Sequence, residues 1–288
     1  MESSENKKCY ICGSSEIEDT GYSLRDDETI KVLRCKRCSL VFLSSFEHIN
    51  KDFYKDGKMH SGNFDHKRWL EASYDDDRRR FLMLKKIIKG KKLLDFGCGA
   101  GGFLMMAKDY ASKVAGVEKQ DALRALFNEK NLDIFDNPDE IHDKFDVITM
   151  FHVLEHLPDP KSVIKELLNK LKDDGKLIIE VPNEDDALLS LYACKKFADF
   201  THWSCHLYSF NQKTLKRLLE NTGAKINYIK PVQRYGFANH LYWLLRGEKG
   251  GHNVWKKLDN PVLNFFYKNF LKLISKTDTL VISISKRV

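Results

Sequence analysis

An aspartate two residues ahead of a run of glycines is the pattern that constrains the chemistry of this 288-residue chain most. In Leu93-Leu94-Asp95-Phe96-Gly97-Cys98-Gly99-Ala100-Gly101-Gly102-Phe103 an apolar stretch ends in an acid, turns through glycines and enters an apolar helix start. Glycine has no Cβ, so a small ligand can lie against bare backbone there. Gly97, Gly99 and Gly102 satisfy G-x-G-x-x-G, and Glu118 stands about where a dinucleotide enzyme keeps its ribose-binding acid. Asp95 argues against a dinucleotide. A pyrophosphate seeks helix N–H groups and would be repelled by a carboxylate at that place. A ligand carrying an ammonium group would be attracted by it.

Four cysteines form a second constellation. Cys9-x-x-Cys12 and Cys35-x-x-Cys38 are two pairs separated by 22 residues, a spacing that can set four thiolates tetrahedrally around zinc. Gly13 follows the first pair, where a turn is expected. So short a segment buries too little apolar surface to fold alone, so zinc would supply the folding energy. Four sulfur ligands close the shell, which makes the expected site structural. Cys98, Cys194 and Cys205 lack such spacing.

Histidines mark two further segments. Phe151-His152-Val153-Leu154-Glu155-His156-Leu157-Pro158-Asp159-Pro160 brings two imidazoles and a carboxylate within five residues, and on a helical turn His152, Glu155 and His156 share a face. They suit an acid–base site or a divalent-metal site. Thr201-His202-Trp203-Ser204-Cys205-His206-Leu207-Tyr208-Ser209-Phe210 precedes an amphipathic helix from Gln212. An imidazole titrating near neutrality can take a hydroxyl proton, so His206 is the first candidate base and His156 the second.

The elements that must hold these groups alternate. Strands are predicted at Lys92–Phe96, Lys113–Val117, Leu132–Phe135, Asp146–Phe151, Lys176–Val181, Lys225–Lys230 and Thr279–Ser285. Helices fall at Gly102–Tyr110, Leu123–Glu129, Lys161–Lys172 and Gln212–Thr222. Alternation implies an α/β fold, a doubly wound, mostly parallel seven-stranded sheet with helices on both faces and ligands at the carboxyl ends of the strands. Thr29–Arg34 and Leu40–Leu43 read as short ribbon strands. The expected organisation is a zinc ribbon over 1–45, a linker and helical cofactor lid over 46–90, and the main domain over 91–288 with an excursion at 231–278. Within the lid, residues 65–89 show helical spacing broken at Asp75-Asp76-Asp77-Arg78-Arg79-Arg80, with Trp69 and Tyr74 either covering the ligand or packing on the core. The excursion reads as a substrate-binding loop, with Arg234 available to clamp a phosphate or carboxylate. Over Val254–Ser275, Leu263, Phe266, Phe270 and Ile274 share a face expected to pack on the domain, with membrane contact as the alternative.

The glycine segment resembles motif I of class I S-adenosylmethionine-dependent methyltransferases. The segment beginning at His152 resembles the HxxEH-type turn of ubiquinone-biosynthesis-like and sugar-modifying methyltransferases. The resemblance implies S-adenosylmethionine as cofactor, with the amino group facing Asp95 and the ribose hydroxyls held by Glu118. It places Gly97, Cys98, Gly99, Gly101, Phe103, Lys119, Asp136 and Phe151 around the same ligand. It implies His206, His156 and His152 as catalytic residues, and Glu155, Tyr208, Arg234, Asn239 and His252 on the substrate side. It also implies that the last strand runs antiparallel between the fifth and sixth. Together with the cysteine ribbon, which some deoxysugar C-methyltransferases carry, the chain is similar to bacterial enzymes that methylate a hydroxyl, or secondly a carbon, of a sugar nucleotide or surface glycan.

Composition bounds the alternatives. An apolar content of 42% is ordinary for a globular protein, and seven cysteines without a signal peptide argue for a reducing, cytoplasmic setting rather than a disulfide framework. No apolar run reaches the length of a membrane span. The formal charge of +7 is mixed among acids and indicates phosphate-bearing partners only weakly. A ribosomal RNA methyltransferase using the ribbon to grip RNA is the rival enzyme, with Lys7, Lys8, Lys31, Arg34, Lys36 and Arg37 as its basic face. A catalytically inactive, partner-binding protein is the rival from another class. The oligomeric state is open.

Overall fold

A computed structural model describes residues 7–50, 53–55 and 65–287. Three short strands open it: β1 (Ile17–Asp19), β2 (Val32–Cys35) and β3 (Val41–Leu43). After them α1 spans His66–Ile88, with the Asp65 carboxylate accepting from the N–H groups of Lys67 and Arg68 at its start. It runs unbroken through the acidic and basic triplets where a break was expected. In order follow β4 (Lys92–Phe96), α2 (Gly102–Ala107), β5 (Lys113–Val117), α3 (Arg124–Glu129), β6 (Asp133–Phe135), β7 (Phe145–Phe151), α4 (Pro160–Lys170) and β8 (Leu171–Pro182). The remainder comprises α5 (Ala187–Ser190), α6 (Lys195–Thr201), β9 (Tyr208–Ser209), α7 (Gln212–Glu220), β10 (Lys225–Val232), α8 (Phe237–Arg246), α9 (Gly251–Val254), α10 (Pro261–Leu273) and β11 (Thr279–Ser285).

Seven strands form one sheet in the order β10-β11-β8-β7-β4-β5-β6. Five adjacent strands, β8, β7, β4, β5 and the edge strand β6, are parallel, while β11 runs antiparallel between β8 and β10. The mostly parallel sheet is what the alternation of strands and helices predicts, and the reversed last strand is what the resemblance implies. β4, β7 and β8 are apolar runs buried on both faces, with Leu93, Leu94, Ile148, Ile178 and Ile179 fully enclosed, as a central parallel sheet covered by helices requires. Register brings Asp95 beside Gly116 and Thr149, and Phe151 beside Glu180. The polar residues of the core therefore gather at the carboxyl edge.

The cysteine-bearing strands are joined to the rest by a strand from far along the chain. Their sheet has the order β1-β2-β3-β9, with Val41 opposite Ser209 and Phe42 opposite Tyr208. One apolar cluster then runs from Val32, Val41 and Leu43 through Leu207 and Phe210 to Leu94 and Ile148 of the large sheet. Phe53 and Tyr54, within the expected linker, pack edge to face, and Tyr54 lies edge-on to His156. The rest of that linker, 51–52 and 56–64, lies outside the described residues.

The excursion differs from the expected loop. Three helices, α8, α9 and α10, pack on one another, tied by the Phe237 N–H donating to Asn264 Oδ1 and by Tyr267 bonding His240 at 2.8 Å. Leu263, Phe266 and Phe270 do not pack on the domain. They are 43%, 66% and 49% exposed, and of α10 only Leu271 is buried. Glycine and asparagine caps let the helices form, but their apolar faces outnumber the neighbours available to cover them.

Candidate functional site

The glycine turn is left-handed where its residue types predict. Gly97, Gly99 and Gly101 have φ of +74°, +52° and +78°, a region that L side chains enter at a cost of about 1 kcal/mol or more. The space is also closed to side chains. A Cβ on Gly97 would lie 2.4 Å from Val153 Cγ2, and one on Gly99 would lie 2.8 Å from the Trp69 indole. Trp69 therefore lies on the turn, whereas Tyr74 points to solvent and is 53% exposed.

Two acids face this cradle. Asp95 is 3% exposed and accepts from Thr149 Oγ1 at 2.7 Å. Burial pushes its pKa up to about 7, against the opposing Thr149 bond and Arg80 charge. Glu118 accepts from the N–H groups of Gly99 and Gln120 at 3.0 Å each, so the turn fixes the carboxylate next to the glycines. Burial raises its pKa as well. A buried and a half-buried carboxyl that form no ion pair among the described residues, beside a cradle that a Cβ would fill, fit the ammonium and ribose of S-adenosylmethionine.

Other residues expected around that ligand have other surroundings. The Cys98 sulfur is turned inward, 2.8 Å from where Gly116 would carry a Cβ. Phe103 is buried and packs edge to face on Phe151 at 5.1 Å. Asp136 pairs with Arg124, whose guanidinium also donates to the Glu118 carbonyl. Lys119 is exposed.

The turn after β7 couples this cradle to the histidines. His152 has φ +54°, strained for a non-glycine residue, and Leu154–His156 form one 3-10 turn. His152, Glu155 and His156 do not share one outward face. His152 turns inward, with Nδ1 3.2 Å from Glu155 Oε1 and Nε2 3.3 Å from Glu180 Oε1. Burial opposes its charge, but the two carboxylates prevail and raise its pKa. His156 turns the other way and faces His206, ring centroids 4.9 Å apart, with Trp203 edge-on to both. Burial lowers the pKa of His156 and pushes that of His206 well below the usual range, so both imidazoles are neutral at physiological pH.

Glu155, His156 and His206 each offer a ligand atom within 4.8 Å of the others, and Glu155 Oε2 and His156 Nδ1 are buried without a hydrogen-bond partner among the described residues. These groups could hold a proton in transit or a divalent cation. His202, by contrast, is braced: Nδ1 lies 2.8 Å from the Ala198 carbonyl, Nε2 lies 3.2 Å from Glu184, and Tyr22 stacks on the ring.

Of the residues placed on the substrate side, several are structural. Tyr208 is 3% exposed, donates to the Pro158 carbonyl and stacks on Phe210. Arg234 is no open anion clamp. It bonds Asp278 at 3.4 Å and Asp76 at 3.2 Å, and these acids raise its pKa against the effect of burial. Asn239 bonds His252, which packs on Tyr235, away from the imidazole pair.

A buried ion network escaped the sequence reading. Glu180, fully buried, accepts from Arg79 at 2.8 and 3.0 Å and from Arg80 at 2.8 and 3.0 Å. Burial acts to raise its pKa, but the Arg80 charge, His152 and Arg79 hold it well below the carboxylate range. Arg80 also lies over the Phe151 ring, 4.8 Å from its centroid. The signal was an acid inside the apolar strand Ile178-Ile179-Glu180-Val181, since a buried carboxylate demands a cation. Tyr54, whose hydroxyl donates to the His156 carbonyl at 3.0 Å, gave no signal.

The four thiols of the N-terminal segment converge, with Cys9 and Cys38 sulfurs 3.4 Å apart and Cys12 and Cys35 sulfurs 3.5 Å apart. Tetrahedral zinc with bonds of about 2.3 Å sets its sulfurs ~3.8 Å apart, so the cluster has nearly the dimensions of a zinc shell.

Comparisons with known proteins agree with this geometry. Residues 66–228 match the family model described as a methyltransferase domain. The chain is 37% identical over 129 residues to the ubiquinone biosynthesis O-methyltransferase of Glaesserella parasuis, covering 40% of this chain and 52% of that one. It is 31% identical over 160 residues to an uncharacterized methyltransferase of Staphylococcus carnosus, covering 51% and 75%. The chain thus spans about half the length of the ubiquinone biosynthesis relatives it matches. In structure it is similar to a SAM-dependent methyltransferase of Thermotoga maritima, with TM-score 0.50, 18% identity and 77% and 94% coverage. It is also similar to magnesium protoporphyrin IX methyltransferase of Synechocystis with bound SAH, at TM-score 0.50, 12% identity and 82% and 98% coverage. With more than half of its length matched by that model, the chain belongs to the methyltransferase domain family and has the fold of its S-adenosylmethionine-dependent members.

Proposed function

We propose that this protein transfers a methyl group from S-adenosylmethionine to a hydroxyl oxygen, with His206 as the proton acceptor and His156 beside it. The observation that carries the reading is one turn with two ends. Val153 touches the glycine cradle, and three residues on His156 faces His206. Bound S-adenosylmethionine supplies an electrophilic methyl carbon on a sulfonium. Asp95 and Glu118 orient the donor. The acceptor hydroxyl forms the new oxygen–carbon bond, its proton goes to a ring nitrogen of His206, and the electrons of the broken carbon–sulfur bond stay on sulfur. Burial keeps His206 neutral and so able to accept, and also makes it a weaker base than the imidazole titrating near neutrality expected from the sequence. Alignment does most of the work in such a displacement, and the base adds about 10²- to 10⁴-fold.

Oxygen as the acceptor is supported by the relatives named O-methyltransferases. Our narrower proposal is a hydroxyl of a sugar nucleotide or surface glycan, on the likeness of the cysteine ribbon, the His152 turn and His206 to sugar-modifying enzymes. Turnover assays with sugar nucleotides and with hydroxyl-bearing precursors of ubiquinone separate this acceptor from the one the relatives' names indicate. In either assay His206→Ala should lower kcat by about 10²-fold or more with the cofactor Kd unchanged. Unchanged rates in both His206→Ala and His156→Ala would remove the base assignment. The convergence of Glu155, His156 and His206 favours a second reading, a divalent cation that polarises the hydroxyl. Activity lost on dialysis against chelator and restored by magnesium or manganese would select it.

A further inference from the structure

Ten of the sixteen large apolar side chains exposed among the described residues fall between Leu244 and Leu273. On α10, Val262, Phe265, Phe266 and Leu273 are 65%, 64%, 66% and 83% exposed, at spacings that put them on one side of the helix. A water-exposed apolar surface of this density marks a contact with something else. Its charge says what. Between residues 244 and 276, seven lysines and arginines stand against two acids, Glu248 and Asp259, so this stretch carries +5 of the whole chain's formal +7. Arg246, Lys249, Lys256, Lys257 and Lys272 are exposed beside the apolar residues. A recess of about 500 Å³ opens among Val254, Trp255, Lys256, Lys257 and Leu258, an apolar floor with a basic rim.

We propose that α8, α9 and α10 form a docking face for an anionic lipid surface. Exposed phenylalanines and leucines enter the acyl boundary while lysines meet the phosphates, the pattern of an interfacial rather than spanning helix. No helix among the described residues is long and apolar enough to cross a membrane. A second copy of the chain fits the face less well, because a two-fold contact sets the same basic patch against itself. The lobe adjoins the ion network behind the glycine cradle, since Lys268 of α10 donates to the Arg234 carbonyl at 2.6 Å and Arg234 pairs with Asp76. Docking therefore holds the site close to the membrane.

Flotation of the full chain with vesicles tests the proposal. The protein should partition into phosphatidylcholine–phosphatidylglycerol vesicles, not into phosphatidylcholine alone, and salt should weaken the binding. Lys256→Glu with Lys257→Glu should lower partition by roughly 30-fold or more, at about fivefold for each lysine near an anionic surface. Phe265→Ser with Phe266→Ser should abolish it, both variants keeping parental cofactor affinity. Absence of parental binding to anionic vesicles overturns the proposal, as does equal partition of parent and both variants. A concentration-dependent dimer that the phenylalanine substitutions dissolve, with no vesicle binding, would assign the face to a second copy instead.

Discussion

Asp95 carries the greatest chemical consequence of any single residue. Sunk at the end of β4, its carboxyl has Thr149 as its hydrogen-bond donor, Arg80 as the attracting charge, and Asp77 and Glu118 as repelling ones. The net effect of burial and neighbours is a pKa of about 7, so the carboxyl is largely protonated below neutrality. Only the carboxylate attracts an ammonium, and the ligand's ammonium, with a pKa of about 7.7 or higher, is still mostly charged at pH 7.5. Affinity for S-adenosylmethionine should therefore rise with pH, roughly five- to tenfold between pH 6 and 7.5. Asp95→Asn should bind weakly and flatten the profile. Titration calorimetry at several pH values checks this, and a parental profile as flat as that of the variant would refute it. The places of Asp95 and Glu118 beside the glycine turn are legible in sequence because they follow from short spacings to the glycines. Glu180 with Arg79 and Arg80 is not, because the partners lie about 100 residues apart and a row of acids and bases on a helix reads as a solvated face. Removing one member of such a buried set typically costs about 3–5 kcal/mol, so the network fixes α1 on the sheet.

Among the elements, the glycine turn and the turn after β7 act as one unit. A methyl group on Gly97 would collide with Val153, and its φ of +74° adds strain. Gly97→Ala should weaken cofactor binding and, by shifting Val153, also displace His156 and lower kcat. Val153→Ala removes the collision but not the strain. The double variant should recover kcat while retaining a defect of about 1 kcal/mol in stability. A double-mutant cycle on kcat and melting temperature measures this coupling, and additive losses would mean that the turns act independently. The strands of the large sheet could be read from apolar runs, because a buried parallel strand declares itself over five or six residues, whereas the place of the last strand came from the resemblance. β9 could not be read. Its two residues, Tyr208 and Ser209, become a strand only because β3 offers an edge, and no local pattern encodes that. The same holds for α10, whose apolar spacing says that something covers it without saying what.

At the scale of the whole molecule, the cysteine ribbon grips the segment that carries the proposed base. β3 pairs with β9, the Arg25 N–H donates to the His202 carbonyl at 3.1 Å, and Asp26 accepts from the Ser204 N–H at 2.9 Å. The Arg25 guanidinium lies 4.0 Å from the Trp203 ring centroid, and Lys161 Nζ donates to the Tyr10 carbonyl at 2.9 Å. These contacts hold Thr201–Phe210 against the main sheet, whereas Asp95 and Glu118 sit on β4 and after β5, tied to neither ribbon nor β9. A zinc ion held by Cys9, Cys12, Cys35 and Cys38, which we propose on the convergence of their sulfurs, should then support catalysis at a distance. Cys9→Ser with Cys38→Ser should remove about one equivalent of metal by elemental analysis. It should loosen β1, β2, β3 and β9 together, seen as accelerated amide exchange across residues 30–43 and 201–210. The cofactor Kd should stay within about twofold, because the donor cradle keeps its own supports, while kcat falls with the misplacement of His206, where an error near 1 Å can cost about 100-fold. If cofactor affinity fell in step with kcat, the ribbon would be supporting the whole sheet. If neither changed, the segment carrying His206 would owe its position to the methyltransferase core alone.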